Sequence, residues 1–174
     1  MTTHVDTILA GFQTASMGFD RAASTLSAAD QSLGKSIDAA RRAGFTAVGA
    51  HLQTALQDLR QLQTALTAAK RLLGEAHSSI VGSPKELSSE QVLGILSPIG
   101  GKLGQVEAGV LQIRSALPGL AQRIAVAANQ SPAIGMLNTL AQQGTAQILD
   151  RITAVKQALD AATTDAQRAR SGGA

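Results

Sequence analysis

Near the start of the chain the large apolar side chains Val5, Phe12, Phe19, Leu26 and Leu33 recur every seven residues, and Ile8, Ala15, Ala22 and Ala29 follow three residues behind the first four. This is the a/d heptad of a helix that packs along one narrow seam, large at one position and mostly Ala at the other. So narrow a stripe can bury only one partner, and the Ala positions let that partner come close. Thr3 and Asp6 have the spacing of an N-cap pair before the seam begins.

A second seam runs through Phe45, Leu52, Leu59, Leu66 and Leu73, with Val48, Ala55, Leu62 and Ala69 between them and Leu56 widening it. From Leu33 to Phe45 is twelve residues, which is not a heptad multiple, so the two seams differ in register. Either Gly44 turns the chain into a hairpin, or one long helix continues through a stutter with Ile37, Ala40, Gly44 and Val48 as a locally unwound stripe. The hairpin is preferred because a short turn gives each seam its partner.

The third seam lies in "VLGILSPIGGKLGQVEAGVLQIRSALPGL". Val92, Leu96, Ile99, Leu103, Val106, Val110, Ile113, Leu117, Leu120, Ile124 and Ala127 alternate spacings of four and three across a stretch rich in Gly and Pro. A strand needs period two and a loop needs none, so this is a helix, kinked near Pro98 and Pro118 rather than reversed there. The same phase returns at Ile148, Ile152, Val155 and Leu159, with Asn138 and Thr145 interrupting it. Gly82 and Pro84 break the pattern; Ser83 with Glu86, and Ser88 with Gln91, have capping-box spacing, and Ser131–Pro132 marks one more helix start.

The expected fold is all-α: an elongated antiparallel helical bundle, or two packed helical hairpins, with coiled-coil-like Leu/Ala seams. Residues 1–79 form the first hairpin, or one long helix. Residues 80–88 are a linker, 89–170 form the second hairpin, and 171–174 are a tail. Composition agrees, since aromatics make up only 2% of the 174 residues, all of them Phe, and Ala and Leu seams suit helices better than sheets.

Several chemistries find no residues to carry them. Zero Cys removes disulfides, Cys-ligated zinc and thiol catalysis. His4, His51 and His77 are far apart on or beside solvent faces, and no Glu-x-x-His pair exists to hold two metals. No Gly-x-Ser-x-Gly elbow and no paired carboxylates appear, so no catalytic residue, metal site or cofactor is expected. "GILSPIGGKL" fails as a phosphate loop, because Leu103 stands where a magnesium-binding hydroxyl is required. Lys102, Glu107 and Arg114 each cost about 2.5 to 3.5 kcal/mol at a bilayer centre, which excludes a membrane span.

The formal net charge is +3, spread over both halves with no aromatic platform and no Lys/Arg run beyond Arg41-Arg42 and Lys70-Arg71, so nucleic acid is not an expected partner. His4 and Asp6 interrupt the start of the chain, which reads as a cytoplasmic protein whose export would need a route independent of a signal peptide.

With two Leu/Ala-seamed helices on either side of Gly44-Phe45, residues 1–79 resemble the small helical-hairpin proteins of actinobacterial type VII (Esx) secretion. Those proteins turn on a Trp-x-Gly motif and often end in a Tyr-based export signal; here Gly44-Phe45, with Gly49 beyond, is the nearest counterpart, and no Tyr exists. The resemblance implies a secreted hairpin protein, and the Ala-, Gly- and Arg-rich usage looks like that of a high-GC actinobacterium. In composition the chain also resembles phasins, the aromatic-poor helical coats of storage-polymer granules.

The excess of seam over chemical motif leads to a non-enzymatic helical protein–protein interaction or structural protein that binds a partner chain or a second copy. The alternatives are an amphipathic coat on lipid or polymer granules and a type VII secreted hairpin. Gly94, Gly100, Gly101, Gly104 and Gly109 mark the candidate interaction face. The Gly100/Gly104 pair is expected to pack closely on another helix of the chain.

Overall fold

The computed structural model describes residues 2–82 and 87–172. The elements are α1 (Thr2–Arg42), α2 (Thr46–Val81), α3 (Ser89–Ala127), α4 (Pro132–Thr139) and α5 (Thr145–Gly172), with one π-helical turn, Leu140–Gly144, joining α4 to α5 in a single rod. Four rods therefore pack side by side. α1 touches α2 and the α4–α5 rod, α3 touches the same two, and among the described residues neither the backbones of α1 and α3 nor those of α2 and α5 come close. This is a four-helix arrangement with two diagonals, and both hairpins share one continuous core. The Thr3 cap, the Ser83–Pro84–Glu86 start signal and the end of the tail lie outside the described side chains.

Cross-helix partners establish antiparallel order. Asp20 pairs with Lys70 and Asp30 with Arg60, ten residues forward on α1 against ten back on α2. Asp58 pairs with Arg123, Glu75 with Lys102, and Glu107 with Lys156, continuing the alternation around the bundle.

The seams form the core largely as their spacing predicts. On α1 the side chains of Ile8, Phe12, Ala15, Phe19, Ala22, Leu26, Ala29 and Leu33 are all buried. On α3 the alternation holds from Val92 to Ile124, except that Leu96 is half-buried. Val5 and Phe45 depart from the expectation, being 40% and 62% exposed. Each is the first residue of its seam, at a bundle end. Phe45 is moreover the non-helical residue before α2, at φ −84° and ψ 71°, which turns its side chain off the stripe.

The turn itself is Ala43–Gly44–Phe45, and Gly44 takes φ +81°. That left-handed conformation is the glycine C-cap, and Phe45 N–H then donates back to the Ala40 carbonyl. The break in register between Leu33 and Phe45 is therefore a chain reversal. At the other end, Ile80 and Val81, read as linker, continue α2, with Ile80 in the core.

α3 runs unbroken through Pro98 and Pro118. Both prolines sit on the exposed face, so the carbonyls deprived of a donor, those of Gly94 and Arg114, belong to exposed residues that water can reach.

Thr145, read as an interruption of the seam, is instead buried. Inward residues at Ala133, Leu137, Ala141 and Thr145 are spaced four apart three times running, one residue more than a four-three alternation allows. The π turn absorbs that residue. In it the Thr145 N–H donates to the Leu140 carbonyl rather than to that of Ala141, and the Thr145 hydroxyl donates to the Ala141 carbonyl at 2.9 Å.

Thr145→Val, nearly isosteric, should cost about 1–3 kcal/mol in urea unfolding by stranding that buried carbonyl, whereas Thr145→Ser should cost far less. A second contrast concerns caps. Ser88 forms a reciprocal capping box with Gln91, but the buried Ser131 hydroxyl has no partner. Ser88→Ala should lose about 1 kcal/mol, and Ser131→Ala should be neutral or stabilising in the same assay.

Candidate functional site

The glycine-marked face of α3 divides. Gly109 packs on α2, its hypothetical Cβ lying 3.6 Å from Ala69 Cβ, but a Cβ at Gly94, Gly100, Gly101 or Gly104 would meet nothing within 4 Å. The expected close packing at Gly100/Gly104 is therefore not formed: these residues look outward because Ile99, Leu103 and Val106 fill the inward stripe. Close approach occurs on α1. A Cβ at Gly11 would come within 2.5 Å of Val155 Cγ2, and one at Gly18 within 3.1 Å of Ile148 Cγ1. The pairs lie seven residues apart on both helices, so α1 and α5 hold one antiparallel heptad register through two glycines.

The histidines find partners that depend on which helices pair. His4 Nε2 lies 2.6 Å from Asp165 Oδ2, joining the start of α1 to the last turns of α5. The His77 ring stands 5.7 Å from that of Phe12, on the wall of a groove of about 700 Å³ between α1 and α2. Leu9, Phe12, Met17 and Leu73 line the apolar part of the groove and Asp6, Gln13 and Lys70 its polar edge. His51 is exposed. Among the described residues no three His, Asp or Glu side chains are grouped to hold a metal ion, and no helix is long and apolar enough to cross a membrane. The i,i+4 spacing of Arg71 with Glu75 and of Asp38 with Arg42 allows a helix-surface pair at each; Arg71–Glu75 forms at 3.6 Å, but no Asp38–Arg42 bridge is made.

A further surface follows from the registers. Asp58 opposite Arg123 puts the end of α3 near Thr54, and Gly18 opposite Ile148 puts the start of α4 near Gly34. The last turns of α1 and the first turns of α2 therefore project beyond the other two rods, by about 12 Å at 1.5 Å per residue. Ala128 and Ile134 pack against the core below the projection, and every residue from Arg41 to Ala47 is exposed. Lys35, Arg41 and Arg42 face only Asp38 as a fixed counter-charge within residues 35–53, and none of the three cations forms an ion pair among the described residues. The α2 start beside them has no side-chain cap and no acidic residue in its first turn, so its positive dipole end is uncompensated.

Both the Gly-Phe turn and the Arg pair are visible in the sequence. Their projection is not, because it depends on the relative register of all four rods. No protein-family model, curated protein or solved structure matches the chain.

Glycine substitutions separate packed from open positions. Gly11→Ala should destabilise by about 1–3 kcal/mol, because the stiff Val155 side chain must move, and pairing it with Val155→Ala should recover part of that loss in a double-mutant cycle. Gly100→Ala should stabilise by up to about 1 kcal/mol through helix propensity alone. Chemical denaturation reads both.

Proposed function

We propose that the chain is a non-enzymatic helical interaction protein whose four-helix body carries the projecting α1–α2 tip as its contact element. The observation that supports this reading is the projection itself: a turn rigidly set by Gly44, held about two helical turns clear of the neighbouring rods, and exposing Phe45 between Arg42 and the start of α2. The shared core leaves the Phe45 side chain unused, so its placement costs exposed apolar area without helping the fold.

The amphipathic-coat reading asks for open seams. Here Leu26, Leu33, Leu59, Leu103 and Leu117 are buried, so coating a granule through those seams would require the whole core to part. Tip-to-tip pairing of two copies would bring Arg41 and Arg42 against their like, which is repulsive. The favoured partner surface is therefore acidic.

A photo-cross-linking residue placed at Phe45, in cells of the native host, should yield discrete adducts, whereas the same residue at the exposed body position Thr67 should yield few. Equal labelling at both sites, or none at position 45, would remove the tip as the contact element.

A further inference from the structure

We infer that the surface met by the α1–α2 tip is an anionic lipid headgroup layer, into which Phe45 inserts between the guanidinium groups of Arg41 and Arg42. The inference rests on the reading of the tip as the contact element and names its partner. Two independent features of the projection point the same way. Its charge is cationic and unpaired, with Lys35, Arg41 and Arg42 against Asp38 alone, so that these nineteen residues, 35–53, hold two of the chain's three net positive charges. Its outermost residues are apolar or small: Phe45 at 62% exposure, with Ala43, Gly44 and Ala47 exposed around it.

A nucleic acid would satisfy the arginines, but one lone Phe gives its successive bases no stacking track. An anionic bilayer surface satisfies both features at once, phosphate and carboxylate groups for the cations and the acyl boundary for the ring. Geometry allows it. Because α3 and α4 end short of the tip, the projection can reach a flat surface before the rest of the body touches it.

The binding would be shallow and reversible. Basic residues near a negatively charged leaflet contribute about fivefold each in partitioning, and the contribution falls within a Debye length. The groups that make the contact are already exposed in the free protein, so no helix has to unfold and the core stays closed.

The test is co-sedimentation of the full chain with vesicles of phosphatidylcholine alone and of phosphatidylcholine mixed with phosphatidylserine, at low and high salt. The wild-type chain should bind the mixed vesicles at low salt, leave them at high salt, and ignore phosphatidylcholine. Arg41→Gln with Arg42→Gln should weaken binding by about 25-fold, two steps of fivefold. Phe45→Ala should weaken it by about tenfold, within what burying a Phe side chain supplies. Arg71→Gln with Arg151→Gln removes the same charge from the body and should change binding little.

Circular dichroism melts of each variant keep folding out of the comparison, since all five side chains are exposed. Failure of the wild-type chain to bind mixed vesicles, equal losses from the tip and body charge pairs, or indifference to Phe45→Ala would each overturn the lipid assignment. Protein adducts from position 45 without vesicle binding would overturn this inference alone, whereas absence of any adduct would take the contact reading with it.

Discussion

The bundle depends on the narrowness of its seams. Each helix offers about two inward residues per turn, one large and one often Ala, and each stripe lies against two neighbouring rods, that of α1 against α2 and α5 and that of α3 against the same two. Closure by a third and fourth rod covers the remaining flank of each stripe, and for that reason the two hairpins share one core instead of standing as separate units. Where a side chain is missing altogether, at Gly11 and Gly18, α5 comes in closest, and the branched residues Val155 and Ile148 fill the gaps. A chain with so few aromatics gains its packing from close backbone approach more than from bulky side chains.

Ion pairs between neighbouring rods play a different part. Asp20–Lys70, Asp30–Arg60, Asp58–Arg123 and Glu107–Lys156 are all substantially solvent-exposed, so each adds at most about 1 kcal/mol to stability. Their collective value lies in register. Leu/Ala seams of period seven look nearly alike after a heptad slip, and such a slip would separate these charges while leaving the apolar contacts similar. Polar pairs thus select the alignments of α1 on α2, α2 on α3 and α3 on α5, while Gly11 and Gly18 set that of α1 on α5.

How much of this was legible in the sequence follows the range of each interaction. Periodicity is local, so the helices, their inward residues and the Ser88–Gln91 capping box could be read from single segments. The Gly44 turn was one of two readings until its left-handed φ resolved it. Thr145 reads as a break in the stripe because it is polar, but a run of four-residue spacings marks an extra residue and a π turn that carries its hydroxyl inward. The glycines of α3 differ from their expected role for another reason. A G-x-x-x-G spacing says that a helix can be approached closely there, but which face is approached depends on neighbours, and the stripe of Ile99, Leu103 and Val106 had already claimed the inside. His4 with Asp165 and His77 with Phe12 are contacts between distant segments and had no local signal at all.

Unequal reach of the rods then converts packing into a surface. With the registers anchored by Gly18–Ile148 and Asp58–Arg123, the turn between α1 and α2 must overrun the turn between α3 and α4, whatever residues occupy it. Ile37 and Ala40 stay buried between the two helices of the overrun, but its apex from Arg41 to Ala47 is exposed, and the cheapest sequence there would be small and polar. This chain instead places Phe45 at the apex and two unpaired arginines beside it. The turn requires neither Phe45 nor both arginines: Gly44 satisfies its geometry, and one basic residue in the last turn of α1 offsets its carbonyl end. Residues that the fold does not require, held rigidly at the point of greatest reach, are the part of the molecule whose chemistry the fold leaves free to face something else.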